Sequence, residues 1–369
     1  MSTASQGLAR ERLRNLCLDG PPLERTVDVV RWLVASQAQD FAGAKWALGL
    51  RTAGASDAEV EREFDSGRFL RTHVMRPTWH FVCPEDIRWL LALTAPRVNA
   101  VNAHRYRTLE LDASAFRKAN DTLVKALGGG RQLTRDELRG SLSRAGIGAV
   151  DGQRLAYVLM RAELDAIVCS GARRGRQFTY ALLEERAPRA RTLSREEALA
   201  GLAGRYFMSR GPASVHDFAK WSGLAAADAR AGLDAVAPGL EHRQVEGRTL
   251  WSGDSAPRVR RGPAAARLIS VYDEYISSYR DRSAICDPDH GRRLMGMGNA
   301  LGYLVLLDGR VAGTWKRAIA TRTVEVQVTP FRRLTATERR AIATAAGRFA
   351  AFLGRQLVLA LPAGRGRTR

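Results

Sequence analysis

Residues 25–40 have the sequence RTVDVVRWLVASQAQD and are the stretch that says most about this chain's fold. Apolar side chains at positions 27, 30, 33 and 34 recur at helical spacing, which predicts an amphipathic helix with one buried face. The helix is followed by Gln37-Ala38-Gln39. In a continuing helix the two amides would point about 200° apart, whereas in extended backbone they share one side. Two readings stay open: amides that converge on one small ligand, or ordinary polar residues at a helix end.

The stretch belongs to an arrangement that occurs three times along the chain: a helix, a short turn, a second helix and an alternating, hairpin-like segment. Ser/Thr-x-x-Glu capping signatures mark several helix starts, at Ser56/Glu59, Thr134/Glu137, Ser194/Glu197 and Thr335/Glu338. A helix-turn-helix followed by a two-stranded wing is the pattern of a winged helix. We therefore predict three winged-helix units in tandem.

The pattern changes after Pro257. Strand-like runs at 268–275, 300–307, 310–316 and 323–328 are separated by turn signals, and a last helix is predicted over Thr335–Leu353. The predicted fold class is thus α+β, with three tandem winged-helix units followed by a C-terminal β-barrel-like domain. The expected divisions are 1–125 for winged helix 1 with the two amides, 126–190 for winged helix 2, 191–257 for winged helix 3 and 258–369 for the β-rich domain.

The charge of the chain points to a polyanionic partner. Its 369 residues have a net charge of +20, and an excess of this size attracts nucleic acid or an acidic membrane surface, with nucleic acid the stronger expectation. The wing Arg173-Arg174-Gly175-Arg176 is a candidate for phosphate contact, or else a solvated basic turn. The hairpin around Lys316, Arg317 and Arg322 suits a minor-groove probe, although an ordinary barrel turn competes closely.

Several functional classes lack their sequence signals. The chain has no Walker loop, no GxGxxG after a strand, no GxSxG and no HExxH, and its four cysteines lie far apart without CxxC spacing. We expect no cofactor and no metal. The N-terminal segment has no apolar core and no stretch reaches the length of a membrane span, so we expect no membrane partner and a cytoplasmic, nucleoid-associated protein.

The segment Arg31–Asp40 resembles the Gln-aliphatic-Gln catalytic motif of the AlkZ/YcaQ-like bacterial DNA glycosylases. Further matches to that family are Arg76-Pro77-Thr78-Trp79-His80, Tyr272-Asp273-Glu274-Tyr275 and Tyr279-Arg280-Asp281-Arg282-Ser283. The order of these motifs spans most of the chain. Its length and the Gln-Ala-Gln form of the motif are most similar to family members that give self-resistance to the antibiotic azinomycin.

The resemblance implies a monofunctional enzyme that grips double-stranded DNA as a monomer and excises N7-alkylated purines, including bulky adducts and crosslinks. Gln37 and Gln39 would be the catalytic residues that place a water near C1′. Asp40, Arg76 and His80 are possible supporting residues. For Asp40 an exposed carboxylate beside a helix end, and for His80 a packed histidine, are the competing interpretations.

A function from another class stays open at this point. Tandem winged helices also occur in non-catalytic regulators and architectural DNA-binding proteins. A regulator usually needs dimer symmetry to match the spacing of its half-sites, and the sequence shows no heptad seam. This favours the enzyme.

Overall fold

A computed structural model describes residues 3–147, 152–253, 265–287, 289–292 and 302–362. Its α-helices are α1 Thr3–Asn15, α2 Thr26–Leu33, α3 Phe41–Gly49, α4 Asp57–Asp65, α5 Ile87–Thr108, α6 Ala113–Leu127, α7 Arg135–Arg144, α8 Gly152–Leu164, α9 Leu183–Arg186, α10 Arg195–Arg210, α11 Val215–Ser222, α12 Ala226–Val236, α13 Glu274–Ser277 and α14 Ala336–Phe352. Its strands are β1 Ala35–Gln37, β2 Leu70–His73, β3 Trp79–Val82, β4 Leu133–Thr134, β5 Val168–Ser170, β6 Thr179–Leu182, β7 Glu241–Val245, β8 Arg248–Ser252, β9 Ala266–Ile269, β10 Leu304–Leu307, β11 Arg310–Ile319, β12 Thr323–Pro330 and β13 Gln356–Ala360. The fold is mixed α+β, as predicted.

The first unit, residues 26–82, contains α2, β1, α3, α4, β2 and β3 in that order. Helix α2 ends because Val34 has a φ of +63°, a left-handed conformation that a β-branched residue rarely adopts. The chain then runs extended through β1, which is the backbone that the first interpretation, two amides facing one ligand, requires. Strand β3 lies between β1 and β2, and all three are antiparallel. The predicted two-stranded wing is therefore confirmed and extended by a third strand.

The second unit, residues 113–182, repeats this order with α6, β4, α7, α8, β5 and β6. Its sheet also places the last strand in the middle, in the order β4-β6-β5. Buried side chains of α6, α7 and α8, such as Phe116, Leu138 and Leu155, form a hydrophobic cluster separate from the main core. Helix α6 therefore packs with the second unit.

The third unit, residues 195–252, consists of α10, α11, α12 and the β7–β8 hairpin. Ala213 pairs with Trp251 of β8 as an isolated antiparallel bridge and occupies the place that a short first strand has in the other two units. Capping boxes are present at Ser56, Thr134, Ser194 and Thr335, which confirms the helix starts that the sequence predicted.

The C-terminal part is one five-stranded sheet in the order β13-β12-β11-β10-β9, with β12 and β13 parallel. In the described residues β9 and β13 are edge strands, and α14 packs against both of them. This is a curled, half-barrel sheet closed on one side by a helix. The strand predicted over 268–275 is wrong beyond Ile269, because the chain turns there and forms α13.

One hydrophobic core joins the first unit, the third unit and the C-terminal sheet. The indole of Trp46 donates a hydrogen bond of 2.6 Å to the carbonyl of Leu268, and the buried guanidinium of Arg51 pairs with Asp273 at 2.8 Å. Among the helices in the described ranges, none has both the length and the apolar character needed to cross a membrane. The first unit and the C-terminal part are thus packed against each other, with contacts at β9 and at the start of α13.

Candidate catalytic site

The segment Ala35–Gln39 is held at several backbone atoms. The carbonyl of Ala35 accepts a hydrogen bond of 2.9 Å from Arg210, and the amide of Gln37 donates one of 3.0 Å to Glu274. The amide of Ala38 donates to the carbonyl of Trp79 at 2.7 Å, while its own carbonyl accepts from the guanidinium of Arg71. The backbone between the two glutamines therefore has little freedom to move.

Glu274 is the centre of a buried polar network. Its side chain is 1% exposed and accepts hydrogen bonds from Arg210 at 2.8 Å and from the indole of Trp221 at 2.9 Å. Burial opposes ionisation of this carboxyl, but Arg210 and the amide of Gln37 outweigh it and lower the pKa of Glu274 to about 2. Glu274 is thus a fixed negative charge that orients the end of β1.

Arg71 holds the motif from the opposite side. Its guanidinium is stacked between the rings of Trp79, at 4.1 Å, and Phe178, at 4.5 Å, and Nε donates a bond of 3.0 Å to the carbonyl of Ala38. Burial lowers the pKa of Arg71 to about 10, so it stays charged at neutral pH. Because Phe178 belongs to the second unit, this contact connects that unit to the motif.

The two glutamine side chains differ in their surroundings. Gln37 is half-buried, and its side-chain amide, unlike its backbone amide, makes no hydrogen bond to any residue that the structure describes. Gln39 is exposed, and its Oε1 accepts a long bond of 3.4 Å from the amide of Trp79. Strand β1 ends at Gln37, and Gln39 lies in the bend before α3. Of the two side-chain amides, that of Gln37 is the one without a hydrogen-bond partner in the described part of the chain, and it is available to a ligand.

His80 and Arg76 were expected as supporting residues. His80 lies in β3, the strand that pairs with β1, and Arg76 lies in the turn before β3. His80 is opposite Gln37 in the sheet and is 0% exposed; its Nδ1 is 3.0 Å from the carbonyl of Thr78. Burial and the charge of Arg76 lower the pKa of His80 to about 3, so the imidazole is neutral. Its Nε2 and the Nη2 of Arg76 have no partner in the described part of the chain. His80 is thus packed inside the protein, and its role as a supporting residue stays a prediction.

Asp40 is half-buried, and its carboxylate is not free. Its Oδ2 accepts a short hydrogen bond from the hydroxyl of Tyr303 and lies 3.9 Å from the guanidinium of Arg317. That guanidinium also stacks on the ring of Tyr303 at 4.4 Å. Arg317 is thus directed toward Asp40, rather than standing at the tip of its hairpin.

The β11–β12 hairpin is longer than predicted, since β11 extends to Ile319 and the tip is formed by residues 320–322. Ile319 has 53% of its surface exposed, unusually high for an isoleucine. Lys316 and Arg322 are exposed. An apolar side chain between cations therefore projects from the sheet.

The three wing arginines lie in different environments. Arg173 pairs with Glu61 at 2.7 Å and stacks over Phe41 and Phe178, so it connects the second unit to α4. Arg174 is exposed and pairs with Glu137 at 2.8 Å. Arg176 is exposed. The structure therefore does not bring the three together as one phosphate-binding group.

Sequence reasoning missed Arg71 and gave Glu274 no role of its own. Glu274 lies inside the Tyr272–Tyr275 motif, but nothing in the neighbouring sequence indicates a contact with Gln37, 237 residues away. Arg71 follows Leu70 in a predicted strand, and the signal that could have identified it is a charged residue in a strand that is otherwise apolar and buried.

Comparison with known proteins identifies the relatives of this chain. The family model of the DNA glycosylase AlkZ-like proteins matches residues 30–352. An interstrand DNA cross-link repair glycosylase of Streptomyces sahachiroi is 25% identical over 320 residues, which cover 82% of this chain and 84% of the relative. The solved structure of Streptomyces sahachiroi DNA glycosylase AlkZ superposes with a TM-score of 0.78 at 22% identity, over 97% of this chain and 99% of that one, and supports the fold.

The family match covers the Gln-Ala-Gln motif, all three units and most of the C-terminal sheet. It decides between the two functional classes that the sequence left open, in favour of the enzyme. The chain belongs to the AlkZ-like DNA glycosylase family and is an enzyme that acts on N-glycosyl bonds.

Proposed function

We propose that this enzyme is a monofunctional glycosylase that hydrolyses the N-glycosidic bond of N7-alkylated purines in double-stranded DNA, bulky adducts and interstrand crosslinks included. The observation behind the proposal is the Gln37-Ala38-Gln39 segment at the end of β1, whose backbone is fixed by Glu274 and Arg71 and whose Gln37 side chain has no hydrogen-bond partner among the described residues. We propose that the two side-chain amides converge on one ligand. The Streptomyces sahachiroi relative is an interstrand DNA cross-link repair glycosylase, which agrees with this substrate class.

Hydrolysis of this N-glycosidic bond requires little proton transfer by the protein. An N7-alkylated purine carries a positive charge, so its glycosidic bond is already weakened and the base leaves without a general acid. The enzyme has to place a water near C1′ and stabilise the oxocarbenium-like sugar of the transition state. Amide oxygens fixed in advance perform both tasks by hydrogen bonding and by their dipoles.

The carboxylates near the motif are already engaged, which favours water positioning by the amides. Glu274 is bound by Arg210, Asp40 by Tyr303 and Glu163 by His73. Burial keeps His80 neutral with a pKa of about 3, which makes it a weak base. The water therefore loses its proton late, and the rate follows the lability of the damaged base.

Binding to DNA is proposed to use three winged-helix units in tandem, with modules at 1–125, 126–190, 191–257 and 258–369. The repeated sheet order supports the units, and the packing of α6 favours moving the first boundary to before Ala113.

Arg174, Arg176, Lys316 and Arg322 are proposed phosphate contacts, while Ile319 would enter the minor groove. Arg317 and Arg173 would act through their contacts with Asp40 and Glu61. The enzyme would work as a monomer on chromosomal DNA in the cytoplasm. A role in antibiotic self-resistance stays a prediction.

The test is single-turnover release of free base from a duplex with one N7-methylguanine. Gln37→Ala and Gln39→Ala should each slow release by about a hundredfold or more, with nearly unchanged DNA affinity, because the lost interactions form in the transition state. Gln39→Asp should keep activity and Gln39→Leu should lose it. The double variant should lose less than the sum of the single effects.

Gln356→Ala is the matched control, since Gln356 is an exposed amide on the edge strand β13. It should release base at the wild-type rate. Wild-type rates in both motif variants would overturn the site assignment. Failure of the wild-type enzyme to release any base from a panel of N7-alkylated lesions would overturn the substrate class.

A further inference from the structure

Three half-buried cations meet where the first unit, the third unit and the segment after α13 join. They are Arg76, before β3, Lys220 of α11 and Arg282. Each donates a hydrogen bond to a backbone carbonyl: Arg76 to Lys220 at 3.4 Å, Lys220 to Ser277 at 2.6 Å and Arg282 to Ile276 at 3.2 Å. The three side chains are therefore fixed in place without an acidic partner.

The lack of a carboxylate distinguishes this cluster from the buried cations nearby. Among the described residues, none of the three forms an ion pair within 4.0 Å, whereas Arg51 and Arg210 each pair with a buried carboxylate at 2.8 Å. The cluster therefore holds positive charge that no neighbouring side chain in the described ranges neutralises directly.

The two carboxylates that act electrostatically on Lys220, those of Glu274 and Asp217, are committed elsewhere. Glu274 is bound by Arg210. Asp217 caps α11 through Ser214 and accepts the backbone amide of Arg280 at 2.7 Å. Neither carboxylate therefore reaches the three cations with a hydrogen bond.

The clustered charge is energetically unfavourable without an anion. Burial, together with the charges of Arg76 and Arg282, lowers the pKa of Lys220 to about 8, while Glu274 and Asp217 raise it less. Burial also lowers the pKa of Arg76 and of Arg282. The Nη2 of Arg76 has no partner in the described part of the chain. An anion bound by the half-buried Lys220 and Arg282 would neutralise this clustered charge.

The cluster lies next to the Gln-Ala-Gln segment. Arg76 precedes β3, the strand that pairs with β1, and it interacts electrostatically with Glu274, which binds the amide of Gln37. An anion here would lie beside the reacting nucleotide. On DNA, the anion at such a position is a backbone phosphate.

We propose that Arg76, Lys220 and Arg282 form a phosphate-binding site for a DNA backbone phosphate flanking the nucleotide that faces Gln37 and Gln39. This inference rests on the proposed function, since it requires DNA at the motif. The site positions the sugar of the damaged nucleotide and takes no part in breaking the bond.

The test pairs a change in the protein with a change in the DNA. A duplex with a tetrahydrofuran abasic analogue is prepared as a set in which each phosphate near the analogue is replaced, one at a time, by an uncharged methylphosphonate. Binding is measured by fluorescence anisotropy. At one phosphate position the wild-type enzyme should lose about tenfold in affinity, as expected for one charge-assisted contact. Lys220→Gln and Arg282→Gln should lose little at that position, because their contact is already absent.

Lys220→Arg restores the charge and should recover the methylphosphonate effect. Arg25→Gln is the control for overall charge, because Arg25 lies in an exposed ion pair with Asp28; it should behave as wild type. The wild-type affinity should also fall as the pH rises through about 8, because binding to a phosphate favours protonated Lys220, and Lys220→Gln should remove this pH dependence. Equal methylphosphonate effects in wild type and variants at every position would overturn the proposal.

A free anion is distinguished by adding inorganic phosphate without DNA. Thermal stabilisation that Lys220→Gln abolishes, combined with no methylphosphonate effect, would assign a free-anion site and overturn the DNA assignment. The proposed function is tested separately from the phosphate site. If the enzyme releases no base but Lys220→Gln and Arg282→Gln still suppress the methylphosphonate effect, the phosphate site stands and the proposed function fails. If the enzyme releases base but these variants respond to the methylphosphonate as the wild type does, the phosphate site fails.

Discussion

The carboxylate of Glu274 accepts a hydrogen bond of 3.0 Å from the backbone amide of Gln37, across a sequence separation of 237 residues. The same carboxylate neutralises Arg210, which in turn donates to the carbonyl of Ala35. A single buried ion pair thus holds both ends of β1. The position of the Gln37 side chain depends on this pair.

Glu274→Gln should lower the free energy of unfolding by about 3–5 kcal/mol, because it leaves Arg210 buried without a counter-charge. Urea denaturation measures the change. Asp136→Asn, which breaks an exposed pair with Arg139, is the control and should cost less than about 1 kcal/mol. A similar loss in both variants would contradict the role given to the buried pair.

Acid should destabilise the enzyme through the same carboxyl. Its folded-state pKa of about 2 lies below the usual 4.5, so its stabilising contribution is present above pH 4.5 and is lost as the pH falls toward 2. Thermal melts of the wild type should therefore show a steeper decline across that range than melts of Glu274→Gln. Parallel declines in the two proteins would show that other carboxyls dominate acid unfolding.

Arg71→Met should slow single-turnover base release by about tenfold while leaving DNA affinity nearly unchanged. Methionine can still pack between Trp79 and Phe178, but it cannot donate to the carbonyl of Ala38, and one lost hydrogen bond is worth about 1 kcal/mol. Arg71→Lys should recover part of the rate. Arg68→Met is the control, because Arg68 is exposed. A loss of affinity with an unchanged rate would argue against positioning.

Asp40→Asn should reduce base release by less than tenfold. A general base would contribute about 10²–10⁴-fold, but the Asp40 carboxylate is already engaged by Tyr303. The single-turnover rate should also be flat between pH 5.5 and 7.5, because Glu274 and His80 have pKa values of about 2 and about 3. A sigmoidal pH profile that Asp40→Asn flattens would identify Asp40 as the base.

The wing arginines should separate into two groups. Arg173→Gln should mainly lower stability, by about 1–2 kcal/mol, because it breaks the pair with Glu61 and the stack on Phe41. Arg176→Gln should leave stability within about 0.5 kcal/mol and weaken DNA binding in a salt-dependent way. Denaturation and anisotropy titrations at two salt concentrations measure both. Equal losses of DNA affinity in the two variants would show that Arg173 and Arg176 contact DNA as one surface.

Local signals in the sequence were enough for much of the fold. Capping boxes such as Ser56/Glu59 located helix starts, and the spacing of Val27 and Val30 located α2. Helix α5 was missed because its first half is buried almost all round, as at Trp89, Leu90 and Leu91, and because it contains Pro96; both features hide helical periodicity.

The sequence pointed to the two glutamines of the candidate site but not to the residues that fix them. Gln37 and Gln39 stand in one short motif, and extended backbone there is a local property. The residues that fix them come from distant parts of the chain, since Glu274 and Arg210 reach β1 only through tertiary packing. Arg173 was assigned to DNA because its partner Glu61 lies 112 residues earlier. Charge alone does not reveal such partners.

The long separation between Gln37 and Glu274 also sets the order of events during translation. Both glutamines leave the ribosome early, and all three units are complete before the carboxylate that fixes β1 has been synthesised. A chain that ends before residue 274 lacks both the acceptor for the backbone amide of Gln37 and the counter-charge of Arg210. We therefore expect β1 to reach its final position only after the C-terminal part has been synthesised.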